Sequence, residues 1–137
     1  MTQVLVLDAE PLNILARGDA RAVPPVQASV EAAYRLGHPV LVPAVILAEL
    51  YRRPRHNALV DACLARETGI SVRTTDRALA RTVGSVLAAA GAGAEQMADA
   101  HVVATAVEAG GGVVLTGDPD DLERLAGGHP RLIVQPV

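Results

Sequence analysis

Val4-Leu5-Val6-Leu7-Asp8 is the stretch from which the fold reads outward: four aliphatic residues run directly into one carboxylate. An apolar run of this length, without alternating polar positions, has the pattern of a β-strand buried on both faces. In open parallel sheets the binding crevice lies just beyond the carboxyl ends of the strands. Asp8 therefore stands where a reactive acid would stand, and the remainder of the chain is read for what joins it there.

Outward from this strand, placed at residues 3–7, the pattern alternates. Residues 9–16 read as a short helix with Pro11 tolerated in its first turn. Pro24-Pro25 opens a helical pattern to Leu36, and Gly37 ends it. A second strand is expected at 39–42, then a very apolar helix from Pro43 to Leu50, broken by Arg52-Arg53-Pro54-Arg55-His56. Further helices are expected at 58–66, 76–90, 97–109 and 119–126, with strands at 70–72, 113–115 and 132–134. Strands that alternate with helices predict an α/β fold with a mostly parallel five-stranded sheet. No internal repeat or domain boundary interrupts residues 1–137, so a single domain is expected.

Composition narrows the function classes. Half of the 137 residues are hydrophobic, yet no apolar run approaches the ~20 residues of a membrane span, so no membrane association is expected. The start of the chain has no basic segment and no small-residue cleavage site, and the single Cys63 cannot form an internal disulfide; a cytoplasmic location fits both. The net charge of −3 argues against binding nucleic acid through bulk charge, although a local basic patch remains compatible. All twelve basic residues are Arg; Phe and Trp are absent, so stacking of bases on aromatic platforms is not expected to dominate binding.

The acids sort by geometry. Asp8 follows the first strand, Asp118 follows the fourth by two residues, and Asp99 lies in the first turn of the helix leading into that fourth strand. Glu49 is six positions past Pro43, ~9 Å along its helix. All four can point at one sheet edge. Each also has a structural reading. Asp118-Pro119-Asp120-Asp121 is a well-formed helix start, so Asp118 can serve as an N-cap, and Asp99, Asp120 and Asp121 can favour a helix dipole. Glu49 interrupts an otherwise apolar run of seven, and an isolated buried carboxylate is costly, so a functional role is expected of it. Several carboxylates in one cleft raise each other's pKa, and a divalent metal removes that penalty. Mg²⁺ and Mn²⁺ prefer oxygen ligands, and one or two such ions are suited to phosphodiester hydrolysis.

At this point the chain resembles the PIN-domain ribonucleases that serve as VapC-type toxins of VapBC-like toxin–antitoxin pairs. The resemblance rests on Val4-Leu5-Val6-Leu7-Asp8, on Ala48-Glu49-Leu50, on the segment from Ala98-Asp99 to Ala106, and on Leu115-Thr116-Gly117-Asp118 followed by Asp120-Asp121-Leu122. Each motif is short, but together they span essentially the whole chain in order. The resemblance implies a three-layer PIN-like fold and a metal-dependent endoribonuclease that uses Mg²⁺ or Mn²⁺. It also implies an RNA substrate, an antitoxin partner and a homodimer. It assigns Asp8, Glu49, Asp99 and Asp118 as catalytic, metal-binding acids, Thr116 as a hydroxyl near the site and Asp121 as an auxiliary acid. The chain departs from the family at Glu10, where Ser or Thr is usual, and at Leu122, where an aromatic is usual; neither departure removes a ligand.

Competing phosphoryl-transfer families are disfavoured. Haloacid-dehalogenase-like phosphatases and receiver domains place an Asp after strand one but need a Lys, and the chain has none. No Gly-rich nucleotide loop follows the first strand. A catalytically silent PIN-like module that binds RNA or protein is the remaining alternative, and metal-dependent cleavage of RNA discriminates it. Arg52, Arg53 and Arg55 form the densest basic cluster; they are either a solvated helix end or a clamp for RNA phosphates or antitoxin carboxylates. Cys63 and His101 read as packing residues, with a supporting role near Asp99 as the other reading of His101.

Overall fold

The computed structural model describes residues 3–137. Elements alternate as expected: β1 (Val4–Leu7), α1 (Ala9–Arg17), α2 (Val23–Arg35), β2 (Val40–Pro43), α3 (Ala44–Leu50), α4 (Pro54–Arg66), β3 (Ile70–Arg73), α5 (Arg77–Ala90), a 3-10 turn (Ala94–Gln96), α6 (Met97–Glu108), β4 (Gly112–Thr116), α7 (Pro119–Ala126) and β5 (Leu132–Pro136). The strands form one sheet in the order β3-β2-β1-β4-β5. Every pairing is parallel, so the expected mostly parallel sheet is parallel throughout.

β1 lies in the middle, and all four of its residues are buried. Its crossovers leave in opposite directions: toward β2 and β3 on one side, toward β4 and β5 on the other. With right-handed crossovers the intervening helices must then cover opposite faces. The packing agrees: α1 contacts α2, α3 and α4, whereas α6 packs against β1, β2 and β4 and is backed by α5 and α7. The gap between β1 and β4 is thus a topological switch point, the expected place for a ligand crevice.

Two local features fix how β4 sits beside β1. Gly110, Gly111 and Gly112 all have positive φ, 88°, 128° and 156°. A side chain at Gly112 would also overlap the backbone oxygen of Val4. Only glycine tolerates that backbone and that approach together. The helix α6 is buried continuously from Ala100 to Ala106 because it is sandwiched between the sheet and α5. Its two polar interior groups are satisfied along the helix: His101 Nδ1 lies 2.8 Å from the Met97 carbonyl, and the Thr105 hydroxyl donates to the His101 carbonyl at 2.7 Å. His101 is buried, with its Nδ1 against the turn that precedes it.

One boundary differs from the sequence reading. The break expected through His56 is confined to residues 51–53, and α4 begins at Pro54. Proline is favoured in the first helical turn, where its missing N–H costs nothing, so Pro54 starts the helix that it was expected to delay. Among the described residues no helix is long and apolar enough to cross a membrane.

Candidate active site

The carboxyl edge of β1 and β4 begins the site. The parallel register pairs Leu7 with Leu115, which places Asp8 beside Thr116. Asp8 is buried at 7% exposure and caps α1: its Oδ1 accepts the Ala9 N–H at 2.8 Å, and its Oδ2 accepts the Thr116 hydroxyl at 2.7 Å. The fully buried Thr116 Oγ1 in turn accepts the Asp118 N–H at 2.9 Å. One threonine thus ties the first acid to the loop that carries the fourth.

Asp99 enters from the first turn of α6 and Asp121 from the first turn of α7. Asp99, Asp118 and Asp121 each offer a carboxylate oxygen within 4.8 Å of the others. Asp118 stands at the N-cap position of α7. Hydrogen bonding with the Asp121 carboxyl, followed by desolvation, raises the Asp118 pKa. Asp121 also meets Arg124 at 2.7 Å in an exposed pair.

Asp99 records the whole constellation electrostatically. Its pKa is pushed up to about 6, first by burial and then by the charges of Asp8, Asp121, Asp118 and Glu49. Glu49 closes the opposite wall. Desolvation raises its pKa, with the charge of Asp8 adding and Arg52 opposing. The expectation that Glu49 is a buried carboxylate is corrected: Glu49 is exposed, as is its neighbour Ala48. α3 is only seven residues long and its far end lies at the open sheet edge, so an apolar run here does not imply burial all round.

Asp8, Ala9, Glu10, Glu49, Asp99, Gly117, Asp118 and Val137 line a cavity of about 490 Å³. Its donor set is entirely oxygen, which suits Mg²⁺ or Mn²⁺ rather than a softer metal. Sequence reasoning ranked Asp121 as auxiliary, yet it stands within the triad. Glu10 lines the same cavity, and its stem crosses Gly117 so closely that a Cβ there would lie 2.9 Å from Glu10 Cβ.

Beyond Glu49 lies a second cavity of about 360 Å³, lined by Asn13, Arg17, Glu49, Leu50, Arg52, Arg53 and His56. Arg52 and Arg53 of the basic cluster line it; Arg55 is exposed in the first turn of α4 and does not. Asn13 and Arg17 escaped notice in the sequence, although their spacing of four puts them on one face of α1.

An all-parallel α/β sheet with acids gathered at its switch point defines a class that the family comparison then specifies. The PIN domain family model matches residues 6–128, and the chain belongs to that family. Among solved structures, a chain in the crystal structure of VapBC2 from Rickettsia felis bound to a DNA fragment from their promoter superposes with a TM-score of 0.68 at 14% identity. The match covers 98% of this chain and 99% of that one, and it shows a shared fold. Curated protein sequences give no match.

Proposed function

We propose that the chain is a metal-dependent endoribonuclease of the VapC type, a single PIN-like domain that forms the toxin half of a toxin–antitoxin pair. The observation that carries this reading is the meeting of Asp8, Glu49, Asp99, Asp118 and Asp121 at one sheet edge in a PIN-family chain. In this reading Asp99, Asp118 and Asp121 hold Mg²⁺ or Mn²⁺, as one ion or two, with Asp8 completing the set from the floor. The ion, when bound, supplies an activated water and offsets charge on the phosphate.

The chain's own residues do the rest. Thr116 keeps Asp8 in one orientation by occupying its Oδ2. Asp99 and Asp118, whose pKa values are raised in the metal-free site, give up protons as a cation arrives, so affinity for metal rises with pH. Glu49, on the facing wall, orients water at the rim. Arg52, Arg53 and Arg55 contact the RNA strand as it enters.

Cleavage of end-labelled RNA in Mn²⁺, with a parallel reaction in excess EDTA, tests the nuclease. Equal cutting in EDTA overturns metal dependence, and binding without cutting moves the chain to a silent module. The toxin role and the antitoxin partner are further proposals, supported by the likeness to a chain of the VapBC2 complex; a homodimer is proposed from the family resemblance alone, and a cytoplasmic location from the sequence alone. Expression should arrest growth, and co-expression of a small protein from a neighbouring gene should relieve the arrest. Free production of active protein with no co-purifying partner overturns the toxin role and leaves the nuclease standing.

A further inference from the structure

The cavity beyond Glu49 is built differently from a solvated helix end. Arg52 fits a helix-end role, since its Nε donates to the Glu49 carbonyl at 3.2 Å near the end of α3. Arg53 does not: it occupies the N-cap position of α4, which has no acid in its first turn. A cation at a helix N-terminus opposes the macrodipole, and the combined positive potential there suits an anion. Arg17 approaches from the last turn of α1. Among the described residues Arg17 and Arg53 form no ion pair, and neither donates a side-chain hydrogen bond. Asn13 lines the same cavity and has an amide NH2 group able to donate. His56 adds an imidazole.

Guanidinium forks with an amide and an imidazole are the donor set of a phosphate subsite. Glu49 lines both this cavity and the acid cleft. The two cavities therefore adjoin at one wall.

We propose that Asn13, Arg17, Arg53 and His56 form a subsite for a non-scissile phosphodiester of the RNA strand, one that sets on which side of the cleavage point the strand is held. This rests on the ribonuclease reading for the identity of the strand.

The test measures binding of a fluorescent single-stranded RNA in EDTA across a salt series. The variants are Arg17→Ala/Arg53→Ala, and Arg81→Ala on the opposite helical layer as a control for charge. The double variant should bind at least tenfold more weakly, and its salt slope should flatten by about 1.4, roughly 0.7 per lost phosphate contact. Arg81→Ala should bind like the parent. An unchanged affinity and slope in the double variant overturns the subsite. So does an equal loss in Arg81→Ala, which reports bulk charge. If RNA binding is unchanged but a co-expressed partner no longer co-purifies, the arginines hold protein carboxylates and the RNA subsite is likewise overturned. Cleavage is scored separately in Mn²⁺: arginine-dependent binding without cleavage sinks the nuclease and leaves the subsite.

Discussion

The acid cleft and the arginine cavity share Glu49 as a wall but are held by different means. Asp8 is fixed at the end of a buried strand by two short hydrogen bonds, and Asp99 is fixed by a helix packed between sheet and helices. The arginines hang from helix ends on long side chains, and Arg17, Arg52 and Arg53 are all exposed. Chemistry at a phosphate needs its groups placed to a fraction of an ångström, whereas a phosphate contact along a flexible strand tolerates adjustment. Substitutions in the cleft should therefore act on rate and stability together, and those in the cavity on affinity and salt dependence.

The sharpest break of this contrast is Asp99→Asn. It should lower RNA cleavage in Mn²⁺ by roughly 10²–10⁴-fold, the range associated with losing a group that acts in the transition state. The fold should survive, because Asn keeps the shape while the charge crowding on Asp99 disappears. A variant with more than a tenth of parental activity would remove Asp99 from the metal set.

Thr116→Val comes next. It is nearly isosteric, and it strips one donor from Asp8 Oδ2 and one acceptor from the Asp118 N–H in a fully buried position. Loss of stability should be about 1–3 kcal/mol, read by urea denaturation. Activity should fall roughly 10–100-fold, as for other groups that orient a metal ligand. Thr116→Ser, which keeps the hydroxyl, should recover most of the activity; failure to do so would mean that the methyl packing, and not the hydrogen bonds, is what matters.

A smaller effect is read from the pH dependence of stability that Asp99 imposes. The folded pKa of Asp99 is about 6, above the ordinary carboxylate value near 3.8, so the folded state binds more protons than the unfolded chain between those values. The resulting destabilisation is absent below about pH 4, grows as pH rises to about 6, and then stays constant. Metal-free protein should lose about 1–2 kcal/mol across that window, less than the whole shift implies because Asp99 is partly solvated. In Asp99→Asn the loss should vanish and the metal-free melting temperature at neutral pH should rise by roughly 3–8 °C. A flat parental profile would count against charge crowding in the cleft.

The smallest effect is at Arg124, whose pair with Asp121 is exposed on both sides. Such pairs contribute under about 1 kcal/mol, so Arg124→Ala should barely move the metal-free melting temperature. It should slightly enlarge the rise produced by Mn²⁺, since Asp121 no longer has a competing cation. A reduced Mn²⁺ response would assign Arg124 a part in arranging the triad.

The sequence revealed what is locally encoded. The run from Val4 to Leu7 announced a doubly buried strand, and Asp8 at its end followed without tertiary knowledge. Strand and helix positions came within a few residues because hydrophobic period and Pro and Gly punctuation are local properties. Two matters were not local. Asp121 joins Asp99 only because α6 and α7 pack together, and nothing in the spacing of 22 residues between the two positions encodes that. The partnership of Asn13 and Arg17 with Arg53 likewise depends on α1 lying against α4. Glu49 failed in the other direction: its apolar neighbours suggested burial, but a seven-residue helix at an open edge leaves one side uncovered.

The hydrogen bond between Thr116 and Asp8 joins residues 108 positions apart. The Ala9 N–H holds Asp8 Oδ1 locally, but Asp8 Oδ2 has no donor until β4 has inserted beside β1. Asp99, Asp118 and Asp121 are also late in the chain. Every nascent fragment short of residue 116 therefore lacks the assembled cleft, however well its first half has folded. Pairing β1 with β4 closes a loop of this length, and long-range parallel pairing is intrinsically slow.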